Sequence, residues 1–426
     1  MKQFPIRWIT ILYLGLFCIA CIVHAEQEPF RPKVGEFPTL EKAHSYKGEL
    51  TFVDHANRRG SIRIDGDGRF RFAAPSPFAL LPYGLVRYHG SPADLRDIPL
   101  GTVMYAKAFL PPDPKISSVP VLPLDNREKK YGYAGTGVAP AENHIFLFED
   151  EPSYCKRLGL VWKLQEINLN EDQGILTARR ESKSGNGDVH EETFTIDKTT
   201  RFWRGKEHLH LRDLFEEKVL PENGVKSFND QSVFLGISWK PTPGGVFKRF
   251  HISDVWMDGI AMERASRIQN ETHKTFVKSR WMPGWVDQVE YGKFGRAKVT
   301  VTLFGGMEDS LYADFKKGQS AMLASSENTL KHWAGGTAGT AQMASKGILL
   351  EVSKTKKGVP LGSSGIQLSL ETNLVTEGFR PEKIIRIRPE SWPIFQVPRE
   401  EYIHHTRDGI DIRFPTPDIF QIFPKN

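Results

Sequence analysis

Two stretches of the chain carry the residue types best suited to holding a ligand. Residues 87–101 read RYHGSPADLRDIPLG and residues 201–217 read RFWRGKEHLHLRDLFEE. Arg87, Tyr88 and His89 match Arg201, Trp203 and Arg204 in type, allowing one inserted residue. Flat rings stack on sugars or bases, and guanidinium groups beside them supply hydrogen-bond donors; open barrel faces take oligosaccharides and oligonucleotides in this way. Aromatics that pack a core beside arginines that solvate an edge would give the same string. The two readings differ visibly. Binding needs these side chains open on one groove, whereas a scaffold buries them.

Other candidate chemistry is thinner. His208 and His210 lie two apart with Asp213 near, a spacing that can share a zinc ion. No third ligand follows at a telling distance, so solvated histidines are expected there and at His404-His405. Glu149 and Glu151 in FLFEDEPSY form an acidic pair of the kind glycosidases use. Beside a proline, exposed carboxylates are the expectation. DGDG at 65–68 lacks the distal glutamate of a calcium loop and reads as a hairpin turn. A nucleophile elbow, a phosphate-cradling Walker loop and an H-E-x-x-H helix are all missing from the sequence. No cofactor is implied, and a hydrolase with an unrecognised carboxylate site ranks third among the functional readings.

The phrase Leu-Arg-Asp shared by both stretches has a structural account. Asp97, Asp213 and, in a worn third echo, Asp314 cap their own turns. The following Ile98, Leu214 or Phe315 plugs a barrel end, and Gly101 or Gly318 takes a positive φ.

These residues need strands to position them. From Gly48 the pattern alternates: GELTFVD, GSIRIDG, RFRFAA, a short strand near Tyr83–Tyr88, and TVMYAKAFL. The order recurs from GLVWKLQEINLN, and again, less completely, from GWVDQVEYGKFGRAKVTVTLF. Residues 254–284 hold the best helical pattern, with Met257, Ala261, Ala265, Ile268, Thr272 and Phe276 on one face and Pro283-Gly284 as the stop.

The repeat resembles the small OB-like β-barrel domains found repeated in exported bacterial proteins of unassigned function. GELTFVD…GSIRID…LRDIPLG and GLVWKLQE…GILTAR…FTIDKTTRFWRG…LRDL carry the resemblance. It implies a mainly β fold of two to three OB-like five-stranded barrel modules in tandem, one long linking helix and a β-rich C-terminal part. The expected divisions are a signal peptide over 1–25 and a linker over 26–46. Module 1 follows at 47–110, a Pro/Gly-rich linker at 111–155 and module 2 at 156–245. A helical connector at 246–283, a divergent module 3 at 284–395 and a tail at 396–426 complete the chain.

The first 25 residues have a basic start, a largely apolar stretch over 8–23 and small residues at Val23 and Ala25, the form of a secretory signal. Export to a periplasmic or extracellular space is expected, with a membrane anchor through residues 8–23 as the alternative. Cleavage removes Lys2 and Arg7 and no acidic residue, so the formal charge falls from +6 to +4. That is far from the basic stripe of a dedicated nucleic-acid binder. Cys18 and Cys21 leave as well, so Cys155 is alone and internal disulfides are excluded. The leading expectation is a non-catalytic envelope scaffold or interaction module, and the alternative is a binding protein for glycan or nucleic acid. An envelope polymer or protein partner fits either, nucleic acid ranks below glycan, and no stable membrane span remains after cleavage.

Overall fold

The computed structural model describes residues 30–393, apart from 66–74, 114, 116, 118, 120–140, 171, 185–188, 241–248, 327–331, 334–343, 356–357 and 374–378, together with 403–404. The expected signal peptide, the RFRFAA strand, His405 and nearly all of the tail lie outside the described residues. The protein is mainly β. Strands β1 (His44–Asp54), β2 (Arg59–Ile64), β3 (Ser76–Tyr88), β4 (Ser91–Ala93), β5 (Val103–Phe109) and β6 (His144–Asp150) make the first sheet. It closes in the order β1-β2-β3-β6-β5-β1, with β3 and β6 parallel and β4 hanging on β3. Closure leaves few free strand edges. Leu50, Ile62, Phe78, Val86 and Phe148 fill its interior.

Helix α1 (Glu151–Leu158) leads into the second sheet: β7 (Leu160–Asn170), β8 (Gln173–Ser182), β9 (His190–Asp197), β10 (Arg201–Arg204) and β11 (Glu207–Leu209). After helix α2 (Leu211–Glu216) come β12 (Val225–Ser238) and β13 (His251–Trp256). The order is β7-β8-β9-β13-β12-β7, closed by a single parallel pair, His251 with Thr195, and extended by β10 and β11 beyond β13. Strand for strand this is the first sheet again. Both strings quoted above become a short hairpin, β3–β4 or β10–β11, followed by a helical turn at Leu-Arg-Asp.

The module boundaries shift accordingly. The strand that completes the first barrel, β6, comes from the stretch read as the 111–155 linker, and β13 comes from the stretch read as the helical connector. Both are buried runs without the alternation that marks a half-exposed strand. The lead assigned to the 26–46 linker is also docked. Phe37 packs 4.5 Å from Trp285 and 5.2 Å from Tyr83, ring centroid to centroid.

Helix α3 (Gly259–Arg280) precedes a third barrel of β14 (Met282–Tyr291), β15 (Ala297–Phe304), β16 (Ser320–Ala324), β18 (Ala344–Lys354), β19 (Ser363–Thr372) and β20 (Ile384–Pro389). A short helix, α4 (Asp309–Ala313), and a two-residue strand, β17 (His332–Trp333), lie between these strands in sequence. The third barrel closes as β14-β15-β19-β18-β16-β20, with every paired neighbour antiparallel. It has six strands in its own order and does not repeat the other two.

Helix α3 buries Ala261, Met262, Gln269, His273, Val277 and Arg280, while Ile268 is 57% exposed. The expected apolar face is therefore rotated. The helix lies on polar ground: Gln269 Nε2 donates to Asp97 Oδ2 at 2.9 Å, Ser91 Oγ donates to the Ser266 carbonyl at 2.8 Å, and Arg96 stacks on Phe276. These hydrogen bonds act together with the apolar contacts of Ala261, Met262 and Val277 to set its rotation. Among the described residues, no helix is long and apolar enough to cross a membrane.

Candidate ligand-binding site

The turn between β3 and β4 is His89-Gly90, with φ of 53° and 74°. Two positive values are the mark of a type I′ hairpin, which normally uses Asn-Gly. Histidine in this region costs about 1 kcal/mol, so neighbours must hold it there. Its backbone N–H donates to Asp150 Oδ2 at 2.7 Å, and its ring stacks on Tyr88 at 3.8 Å. Asp150 is also the N-cap of α1, accepting from Ser153 N at 3.0 Å. Burial pushes the Asp150 carboxyl up to about 7, against the hydrogen bonds it accepts from Ser153 and His89.

The second hairpin is locked in the same manner. The Gly205 N–H donates to Asp258 Oδ2 at 2.8 Å, and Asp258 Oδ1 caps α3 by accepting from Ala261 N at 2.8 Å. One aspartate oxygen thus holds a hairpin turn and the other starts a helix, once in each copy.

Between the two hairpins lies a pocket of about 290 Å³. His89 comes from the first barrel, Arg201, Trp203 and Trp256 from the second, and Ala265 and Ile268 from α3. Trp203 and Trp256 are register partners on parallel strands β10 and β13, as are Arg201 and Asp254. Asp254 is 3% exposed and orients the wall: Oδ2 accepts from Arg201 Nη2 at 2.7 Å and Oδ1 from Trp203 Nε1 at 2.8 Å. Arg201 keeps half of its side chain exposed. Arg264, on α3, also faces the pocket while donating to the Lys206 carbonyl. The His89 ring meets Trp256 edge-on at 4.9 Å. Burial lowers its pKa to about 4, so the ring is neutral at ordinary pH.

Of the six residues singled out in the sequence, His89, Arg201 and Trp203 line this pocket and Tyr88 stacks behind it. Arg87 and Arg204 go elsewhere. Arg87 donates to the Gly306 carbonyl at 2.8 Å, toward the third barrel, and Arg204 pairs with Glu207 and Glu217. The match of Arg87-Tyr88-His89 to Arg201-Trp203-Arg204 is also corrected. Aligned on their turns, His89 falls on Gly205, so the hairpins share a backbone role and not a set of side chains. Asp254 and Trp256 were missed as site residues because they lie in a stretch read as helix.

The rings of His208 and His210 are 4.4 Å apart, and that of His208 is 4.7 Å from Trp203. Among the described residues no group of three His, Cys, Asp or Glu side chains is placed to hold a metal ion.

Glu149 and Glu151 are not exposed, contrary to expectation; they are 3% and 1% exposed. Arg157 Nε donates to both oxygens of Glu149, at 3.0 and 2.7 Å. Glu151 accepts from Arg180 and Trp162, each at 2.9 Å, and from the Tyr105 hydroxyl. Both carboxylates are spent on the joint between the first two barrels.

No protein-family model matches the chain, and no curated protein sequence resembles it significantly. Fold and site together define a mainly β multi-barrel protein with a pocket at the seam between its two like-ordered barrels.

Proposed function

We propose that the protein is a non-catalytic binding protein that holds a sugar ring of a glycan in the pocket between its first two barrels. The observation carrying this reading is the wall made by Trp203 and Trp256 with Arg201 fixed against buried Asp254. A flat aromatic surface covers the apolar face of a sugar, while a clamped guanidinium meets its polar edge. A clamp set in advance by Asp254 loses little rotamer freedom on binding. Nucleic acid is less well matched, because single strands call for a succession of stacking rings along a basic groove. The apolar start of the chain supports reading it as an exported protein, so an extracellular or envelope glycan is the natural class of ligand.

The test is binding of the purified protein to glycan and single-stranded DNA arrays, repeated with Trp203→Ala and Arg201→Ala. Glycan hits that weaken at least tenfold in both variants support the reading. Hits unchanged by either substitution, or hits confined to DNA, overturn it.

A further inference from the structure

A second pocket, of about 520 Å³, lies on the same barrel and shares strand β13 with the first. Its floor is a cross-strand row running through Asn168, Ile175, Thr195 and His251 on β7, β8, β9 and β13. The neighbouring row adds Asn170, Gln173 and Asp197. Asn168, Asn170 and Gln173 are exposed, and each amide is both donor and acceptor. Lys240 is paired with Asp197 beside Thr199. His251 is 3% exposed, with Nδ1 3.2 Å from Thr195 Oγ1.

The two pockets open on one face because β13 is irregular. In a regular strand, residues 251 and 254 point to opposite sides. Here the pairing with β12 slips between Gly236 and Ile237, leaving Ser253 as the extra residue. Phe250, Ile252, Val255 and Met257 consequently enter the core, while His251, Asp254 and Trp256 face outward. Gly236 permits the slip, since a Cβ there would come within 2.9 Å of Ser253 Oγ. Three residues of strand separate the outward side chains by about 10 Å. Bulges re-aim side chains in this way beside functional sites.

We infer that the two pockets are subsites of one groove along β13 and that the groove takes an acidic oligosaccharide, one carrying uronic-acid units. The inference rests on the glycan-binding reading above. Its acidic character follows from the first pocket. Two guanidiniums, Arg201 and Arg264, stand there against one carboxylate, Asp254, both of whose oxygens are already engaged. What the pocket presents is chiefly donors, which suits a ligand group that accepts. The oligomeric character follows from the second pocket. Its amides and hydroxyls match the hydroxyls of a sugar chain, and among the described residues the one ring lining it, the His251 imidazole, is 3% exposed and leaves little face for a base to stack on.

The experiment is isothermal titration with galacturonic acid and its oligomers up to the hexamer, against neutral gluco-oligomers and oligo-deoxythymidine. Galacturonate monomer binding that is lost in Trp203→Ala supports the first subsite. Affinity is expected to rise at least tenfold from monomer to hexamer. Combining Asn168→Ala, Asn170→Ala and Gln173→Ala is expected to erase that gain with length. Monomer binding with no gain, or a gain that survives the triple substitution, overturns the shared groove and leaves the single-pocket reading standing. Equal affinity for neutral oligomers overturns the acidic class. Oligo-deoxythymidine binding that depends on Trp203, with no binding of any sugar, overturns the inference and the glycan reading together.

Discussion

Replacing Glu151 is the sharpest test of what holds the pocket in shape. Its carboxylate accepts from Arg180 Nη1 and Trp162 Nε1 at 2.9 Å, from the Tyr105 hydroxyl at 2.5 Å and from Cys155 Sγ at 3.2 Å. Tyr105 belongs to the first barrel, and Trp162 and Arg180 to the second. Removing one partner of a buried ion pair costs about 3–5 kcal/mol. Glu151→Gln keeps a carbonyl oxygen for three donors but loses the charge and the oxygen that accepts from the Tyr105 hydroxyl, so about 3 kcal/mol is expected. Glu151→Ala strands four buried donors at roughly 1–3 kcal/mol each and should cost more. For a two-barrel unit, about 2–4 °C per kcal/mol makes the glutamine variant melt roughly 6–12 °C lower. Urea melts followed by tryptophan fluorescence and by circular dichroism would read the loss. They should also show one transition splitting into two as the barrels uncouple.

The pH dependence sharpens this test. Burial alone would raise the Glu151 pKa, but Arg180, Lys47 and the hydrogen bonds from Tyr105 and Arg180 outweigh it and leave the carboxyl below its ordinary value. A depressed folded value means the stabilisation is complete above the unfolded carboxyl range and is lost as pH falls through the folded value. Wild type and variant should therefore differ fully near pH 7 and converge in strong acid. If both variants stay within 1 kcal/mol of wild type at pH 7, the joint is not held by this network and the reasoning fails.

Two further outcomes are expected. Burial pushes His89, His144 and His251 down to about 4 and His273 down to about 3. The unfolded chain binds protons near pH 6.5 that the folded one refuses, so stability falls with pH below that value by up to about 1.4 kcal/mol per unit for each histidine. Stopped-flow proton uptake on acid unfolding near pH 5 should approach three protons, nearly four taken up by these histidines less about one released by Asp150, and an uptake below one refutes the assignment. Asp258→Ala removes both a helix cap and the tie to the Gly205 turn, at a cost of about 1–2 kcal/mol. Amide exchange at Gly205 should accelerate with it, and an unchanged rate would show that the turn is held by something else.

How far the sequence reveals this structure depends on which residues are asked. Strands with one wet face, such as β1, β7 and β8, announce themselves by alternation, and the duplication shows through the Leu-Arg-Asp phrase. That phrase has the structural role expected of it: the Asp94 and His210 N–H groups donate to Asp97 and Asp213, while Ile98 and Leu214 are buried. The strands that complete the two barrels were harder to see. All seven residues of β6 are buried, and so are five of the six in β13. A strand covered on both sides has no period to read. Polar residues added to the difficulty, since FLFEDE looks like surface until Arg157 and Arg180 arrive from other elements to neutralise it. The part of the pocket wall made by Asp254 and Trp256 was hidden for the same reason, because both sit on β13.

The position of the pocket follows from the duplication itself. Each copy ends in an aspartate that starts a helix with one oxygen and holds its own hairpin turn with the other: Asp150 for His89, Asp258 for Gly205. In the first copy that helix is only α1, a short link into the second barrel. In the second copy it is α3, long enough to run back over β4 of the first, where Ser266 meets Ser91. One device used twice, with helices of unequal length, brings the two hairpins face to face and roofs the gap between them. The copies differ at the first position of that turn, His89 against Gly205. Histidine in the first supplies a neutral ring to the wall, and glycine in the second leaves room beside Trp203. The third barrel has a different strand order, and its echo of the phrase is spent internally, with Asp314 accepting from Trp392 Nε1 at 2.7 Å. The pocket walled by both hairpins accordingly lies at the seam of the first two barrels.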